Sequence, residues 1–208
     1  MIAAISLMRR RDDVTLVAFR RHWLDVHGPL VCRFPALRHY VQDHVITSPA
    51  SNAAARDMRI DGFPILTFDD DVDRLRAHES AAMAACNVDS RLFIGAVSRV
   101  ICEPVSVVPM APEACPIRLI ALLPGEAADD AALDRYIASV RGMLGLCGLL
   151  AYHVLQQGPA PNSTIPHLPV SVAGIMELAF GSMVELEEAV TAMDDAAARF
   201  VVEQHRLV

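Results

Sequence analysis

The chain has little of what marks nucleic-acid-binding, membrane-spanning or secreted proteins. It has only 18 Lys and Arg against 25 Asp and Glu, a net charge of −7, so it lacks a basic face for phosphates. Although 53% of its 208 residues are hydrophobic, no run approaches the roughly 18–20 apolar residues of a membrane helix. The apolar start, 1–8, precedes the basic residues 9–11, whereas a secretory signal has its basic residues first. We therefore expect a cytoplasmic protein with no nucleic-acid or membrane partner.

Cysteine patterns that would indicate a disulfide framework or a zinc site are also missing. The cysteines are odd in number, widely spaced and never in a CxxC pair: Cys32, Cys86, Cys102, Cys115 and Cys147. This pattern favours reduced thiols, so we predict that all five are free. Gly-rich phosphate loops, Ser-His-Asp patterns and HExxH are absent too, and we predict no cofactor and no metal site.

What the chain does have is one pattern of elements that occurs twice. Residues 1–103 read as β-α-β-β-α-β, and residues 117–208 repeat this order. Between them, residues 104–116 contain four prolines and are interpreted as a linker. The sequence of 61–68 weakly parallels that of 173–180, which favours an internal duplication.

Hydrophobic patterning sets the approximate bounds of these elements. We predict strands at 1–8, 37–47, 62–68, 92–102, 117–123, 149–157, 172–180 and 200–206. Helices are predicted at 16–32, 69–86, 131–144 and 183–197, the third preceded by Asp129 and Asp130, with loops at 48–59 and 158–169.

Several predicted strands are apolar on both faces, for example 2–7, 117–123 and 172–180. In a sheet with one solvent-exposed face, apolar and polar residues alternate along each strand. Because they do not alternate here, both faces should be covered. Helices can cover one face and the other half's sheet the second. The predicted fold is therefore α+β: two ferredoxin-like units that close on each other as a pseudo-dimeric barrel, in a monomer or a homodimer.

The most informative segment is 19–41. Phe19, Trp23 and His27 are spaced by four residues, which places them on one face of a helix that Gly28-Pro29 interrupts or redirects. Tyr40 follows on the next strand, so an imidazole and a phenol lie on adjacent elements.

Together with Pro35, these residues resemble the signature of the EthD family, in the dimeric α+β barrel superfamily. The resemblance covers 1–103 well and the second half faintly, because 136–141 has no matching Trp or His. Since EthD-like lactone isomerases use a His and a Tyr at the matching positions, the resemblance implies that His27 is a catalytic base and Tyr40 a hydrogen-bond donor. Trp23 would be a pocket wall or simply core.

Strand parity adds further candidates. Leu37, Val41 and Val45 form the more apolar set, which we assign to the helix side, so that Tyr40, Gln42 and His44 face the barrel interior and line a pocket. His39 falls on the other face from His44, which argues against a metal site. Glu177 interrupts an apolar strand and is either an inward, substrate-binding carboxylate or a rim residue in water.

Three functions remain open at this point. The first is a cofactor-independent enzyme that acts on a small cyclic or carbonyl-containing metabolite by isomerisation, proton transfer or a related oxidation. The second is an accessory protein that binds a small molecule without turnover. The third is a structural remnant whose pocket is filled by side chains.

Overall fold

A computed structural model of the protein describes residues 1–110, 114–126, 130–160 and 164–208. The strands are β1 Ile2–Arg10, β2 His39–Val45, β3 Gly62–Phe68, β4 Ile94–Val108, β5 Ile117–Pro124, β6 Leu146–Gly158, β7 Val172–Phe180 and β8 Ala198–Arg206. The helices are α1 Leu16–His22, which continues through a π-helical turn Trp23–His27 into α2 Gly28–Val31, then α3 Ala53–Met58, α4 Asp71–His78, α5 Ala81–Ser90, α6 Asp130–Val140 and α7 Met183–Ala192. No helix in these ranges has both the length and the apolar character needed to cross a membrane.

All eight strands join in one closed antiparallel barrel with the order β1-β3-β2-β8-β5-β7-β6-β4. The first half contributes β4-β1-β3-β2 and the second half β8-β5-β7-β6, which is the same order. The halves meet where β2 pairs with β8 and where β4 pairs with β6. The predicted closure of two ferredoxin-like sheets within a single chain is therefore confirmed, whereas the duplication and the domain limits stay predictions.

Burial on both faces of the strands accounts for this closure. All nine residues of β7 are buried. Ile5, Ile120 and Ile175 belong to the cluster that fills the barrel, whereas Leu119 and Met176 pack on the outer face under helices. The expectation that the other sheet covers one face and helices the second is confirmed.

The helices and strands differ from the predicted ones mainly where a side-chain cap starts a helix that hydrophobic patterning did not reveal. The predicted loop 48–59 contains α3, because the Asn52 side chain accepts a hydrogen bond from the Ala55 N–H and caps the helix. The predicted helix 69–86 is two helices, and the Ser80 hydroxyl caps the second at the Met83 N–H. β4 extends to Val108 and so takes the first residues of the predicted linker. Residues 111–113 of that linker, Asp129, and 161–163 of the predicted loop lie outside the described residues.

The prediction of five free cysteines is wrong. Cys115 and Cys147 form a disulfide with their Cα atoms 6.2 Å apart, while Cys32, Cys86 and Cys102 are free. The pairing follows from the sheet: β5 and β6 flank β7, and Ile117 and Leu146 are both register partners of Phe180. Spacing in sequence does not reveal this proximity. The cysteines therefore do not support a cytoplasmic location.

Thiol titration in denaturant without reductant should therefore find three free thiols rather than five. The paired Cys115→Ser and Cys147→Ser change should lower the free energy of unfolding by about 2–4 kcal/mol, because it frees a loop that spans 32 residues in the unfolded chain. Cys32→Ser is the matched control, since Cys32 is a free, half-buried thiol, and it should leave stability nearly unchanged. A count of five thiols would contradict the pairing.

Candidate functional site

One face of the first helical segment carries the predicted aromatic and histidine residues. The Thr15 hydroxyl accepts a hydrogen bond from the Ala18 N–H and starts α1, and Phe19, Trp23 and His27 are all buried. Trp23 lies so close to Gly62 on β3 that a Cβ on that glycine would meet the indole at 2.3 Å. The predicted shared face is confirmed, and it packs on the sheet of the first half.

The phenol of Tyr40 is held by two hydrogen-bond donors. The indole Nε1–H of Trp23 donates to the Tyr40 oxygen at 3.1 Å, and the Gln42 side-chain amide donates to it at 2.8 Å. Both lone pairs of the oxygen are thus used, so its own hydrogen is left to donate. Burial raises the pKa of Tyr40, which keeps the phenol protonated. Tyr40 is therefore arranged as a donor and not as a base.

His44 fixes the orientation of that amide. Its Nε2 lies 2.9 Å from Gln42 Oε1, and its ring stacks on Trp23 with centroids 4.3 Å apart. Burial lowers the pKa of His44 to about 3, with His205 and Arg20 adding to the effect. The neutral ring can donate from Nε2 to the amide oxygen, which turns the amide nitrogen toward Tyr40. Gln42 and His44 thus lie behind Tyr40 and support it.

His27 is held by a carboxylate that sequence reasoning missed. Asp89 on α5 accepts from His27 Nδ1 at 2.8 Å and from His22 Nε2 at 2.9 Å. Burial alone would raise the pKa of Asp89, but the hydrogen bonds from His27 and His22 outweigh it and hold that pKa below its ordinary value. An Nδ1–H that donates to the carboxylate leaves Nε2 as a bare lone pair. The available signal was helical spacing, because Asp89 follows Met83 and Cys86 on the buried face of α5.

His27 and Tyr40 line one cavity of about 90 Å³. It lies between the outer face of the first half's sheet and the π-helical turn with α2, α4 and α5, and Trp23 forms part of its wall. This volume is below the roughly 300 Å³ at which ordinary ligand pockets begin. It is also below the roughly 150 Å³ of a cavity that holds benzene, so a cyclic ligand enters only when side chains of the cavity wall move.

The predicted direction of the β2 side chains is wrong. Tyr40 packs among Phe34 and Phe68 on the helix side, whereas Val41 and Val45 pack against the barrel interior. Gln42 and His44 share the Tyr40 face, so none of the three polar residues points into the barrel. Val41 and Val45 face the barrel interior because this interior, filled by side chains in an eight-stranded barrel, is a larger apolar core than the helix side of β2.

Glu177 is separated from the other candidates. It is 5% exposed and lies inside the barrel, 3.1 Å from the Arg118 guanidinium and within 3.0 Å of the Gln204 amide. Gln204 also donates to Asp43 at 2.9 Å, and burial together with Glu177 raises the pKa of Asp43. Glu177 thus belongs to a buried charged network inside the barrel, in which Asp43 Oδ2 and Arg118 Nε have no hydrogen-bond partner in the described part of the chain. Within the described ranges, no three His, Cys, Asp or Glu side chains are grouped as metal ligands.

Comparison with known proteins places the fold. Residues 11–96 match the family model described as the EthD domain. The structure of an anthrone oxidase-like protein is similar with a TM-score of 0.62 at 8% identity, covering 99% of this chain and 92% of that one. Proteins described as a "putative monooxygenase", from Lactobacillus acidophilus and Fusobacterium nucleatum, have TM-scores of 0.54 and 0.56 at 8% and 5% identity. The match to the Lactobacillus protein covers 100% of this chain and 95% of that one, and the match to the Fusobacterium protein covers 98% and 91%. No curated protein matches the sequence.

The low pKa of His44 predicts acid sensitivity of the fold. The unfolded chain binds a proton at this residue as the pH falls below 6.5, whereas the folded protein resists until about pH 3. Its contribution to stability is complete above pH 6.5 and is lost below it, at about 1.4 kcal/mol per pH unit. In urea unfolding at pH 7.5 and 5.0, His44→Asn should show a smaller decrease than the unsubstituted protein. His39→Gln, an exposed change on the same strand, should keep the full decrease; equal decreases for His44→Asn and the unsubstituted protein would contradict the assignment.

Proposed function

The chain carries an EthD domain at residues 11–96, and on that premise we propose that its cavity is the active site of an enzyme. The enzyme moves a proton on a small cyclic or carbonyl-containing metabolite. One observation carries the proposal: a histidine with a bare Nε2 and a phenol with a free O–H line the same cavity. Asp89 holds His27 so that its Nε2 can only accept a proton, and Gln42 holds Tyr40 so that its O–H can only donate a hydrogen bond.

In this mechanism His27 Nε2 takes a proton from the carbon next to a carbonyl group. Tyr40 donates its hydrogen bond to the oxygen on which negative charge develops. Asp89 stabilises the imidazolium that forms and keeps the ring in the correct tautomer. Return of the proton to a different carbon completes an isomerisation. The apolar wall, including Trp23, excludes water and strengthens these electrostatic interactions.

Deuterium exchange tests this without knowledge of the natural substrate. Small lactones and cyclic enones are incubated with the protein in D₂O, and exchange next to the carbonyl is followed by NMR. His27→Ala should slow exchange by about 10²–10⁴-fold, the usual contribution of a general base. Tyr40→Phe should lose about 2.7–4 kcal/mol of transition-state stabilisation.

The exposed His39→Ala is the matched control for the histidine change and should exchange at the original rate. If compounds of the panel raise the melting temperature but none exchanges, the protein is the binding or accessory protein that is the alternative reading.

Asp89 gives a separate prediction. Asp89→Asn keeps the shape but removes the charge that selects the His27 tautomer, so exchange should fall by about 10²–10⁴-fold with little change in substrate affinity. His22→Gln removes the other partner of Asp89 and leaves the His27 contact in place, so exchange should fall less than tenfold, by rough expectation for an indirect partner. Equal losses in the two variants would contradict a specific role for the His27–Asp89 pair.

A further inference from the structure

The same cavity has a basic end that the proton-transfer mechanism does not use. Arg99 on β4, and Arg74 and His78 on α4, line it together with His27 and Tyr40. Arg74 and His78 are spaced by four residues, so they lie on one side of α4. None of the described residues that line the cavity is Asp or Glu.

Arg99 is the unusual member of this group. Its side chain has no ion pair or hydrogen bond to any residue in the described ranges, and its Nε is buried. Burial, and then the charge of Arg74, lower the pKa of Arg99 to about 10, so it stays cationic at neutral pH. Arg99 is a half-buried side chain, and its guanidinium has no counter-charge among the described residues; because such a charge is costly, this favours an anion from outside as its partner.

His78 is unsatisfied in the same way. Both of its ring nitrogens are buried and neither has a hydrogen-bond partner. Burial, Arg99 and Arg74 lower the pKa of His78, with Glu79 acting weakly in the opposite direction. Two carboxylates of the neighbouring helices are paired with other groups than Arg99 and His78. Asp71 pairs with Arg74 at 2.6 Å, and Asp89 holds the two other histidines.

We propose that Arg99, with His78 and Arg74, forms an anion subsite that binds the carboxylate group of a small organic acid. A guanidinium presents parallel N–H donors that match the two oxygens of a carboxylate. A ring nitrogen of His78 supplies one further donor. That the bound acid is also the substrate rests on the proposed function, with the reacting carbon at His27 and Tyr40. The anion site itself needs no turnover.

Calorimetric titration with 2-furoate, a small cyclic carboxylate, tests the subsite. Because furoate is larger than the cavity of about 90 Å³, its binding includes a movement of side chains in the cavity wall. Its neutral counterpart 2-furamide has the same ring and nearly the same size. Furoate should bind and furamide should not. Arg99→Met, which keeps the apolar stem, should weaken furoate binding by about 10- to 100-fold. The exposed Arg135→Gln in the second half removes one charge far from the cavity and should bind furoate as before.

The unliganded variant provides a second readout. Because Arg99→Met removes a half-buried charge that has no counter-charge among the described residues, it should raise the melting temperature by about 2–4 °C in the absence of furoate. A purely structural arginine would instead give a lower melting temperature. Should the variant fail to fold, His78→Leu is used, and it too should weaken furoate binding.

Three results would overturn the proposal: equal binding of furoate and furamide, unchanged furoate binding by Arg99→Met, or inorganic phosphate binding more tightly than furoate. Arg99-dependent furoate binding without any deuterium exchange would support the subsite while the catalytic role of His27 fails. Exchange on neutral lactones without furoate binding would support the catalytic role of His27 while the anion subsite fails. The two proposals can therefore fail separately.

Discussion

The closed barrel is the constraint on which the rest of the structure depends. Each strand is hydrogen-bonded on both sides, and the strands turn apolar residues both inward and outward. The interior of an eight-stranded barrel is just wide enough for side chains to fill it. Ile5, Phe63 and Phe200 occupy that space together with the buried Asp43 and Glu177. The cavity that holds the candidate site therefore lies outside the barrel, between the sheet and the helices of the first half.

This placement explains how the site is built. The helix contributes Trp23 and His27 from above the sheet, and β2 contributes Tyr40 from below. Trp23 reaches the strand because Gly62 leaves room for the indole. Its Nε1–H and the Gln42 amide then fix the phenol, whereas Asp89 fixes the imidazole from α5. Four separate elements thus orient two side chains, which is the preorganisation that the proposed proton transfer requires.

Two buried polar groups contrast in their charge balance. In the barrel, the guanidinium of Arg118 has a counter-charge, because it lies 3.1 Å from Glu177, and the Gln204 amide donates to Glu177 and to Asp43. In the cavity, Arg99 faces no carboxylate and its Nε has no partner. A charge that is paired inside the protein contributes to the fold. The cationic group without a counter-charge among the described residues is the observation on which the proposed anion subsite rests.

The sequence by itself determined the order of the eight strands, their two apolar faces and hence the barrel, since these depend on local periodicity and on which residues avoid water. It also determined that Phe19, Trp23 and His27 share a helix face. It did not determine which face of β2 is inside, because the helix layer and the barrel interior are both apolar and parity alone does not distinguish them. Asp89, Arg99 and the Cys115–Cys147 pair likewise come from distant segments. Only tertiary structure decided those proximities, because they depend on which strands neighbour each other and on how the helices pack across the sheet.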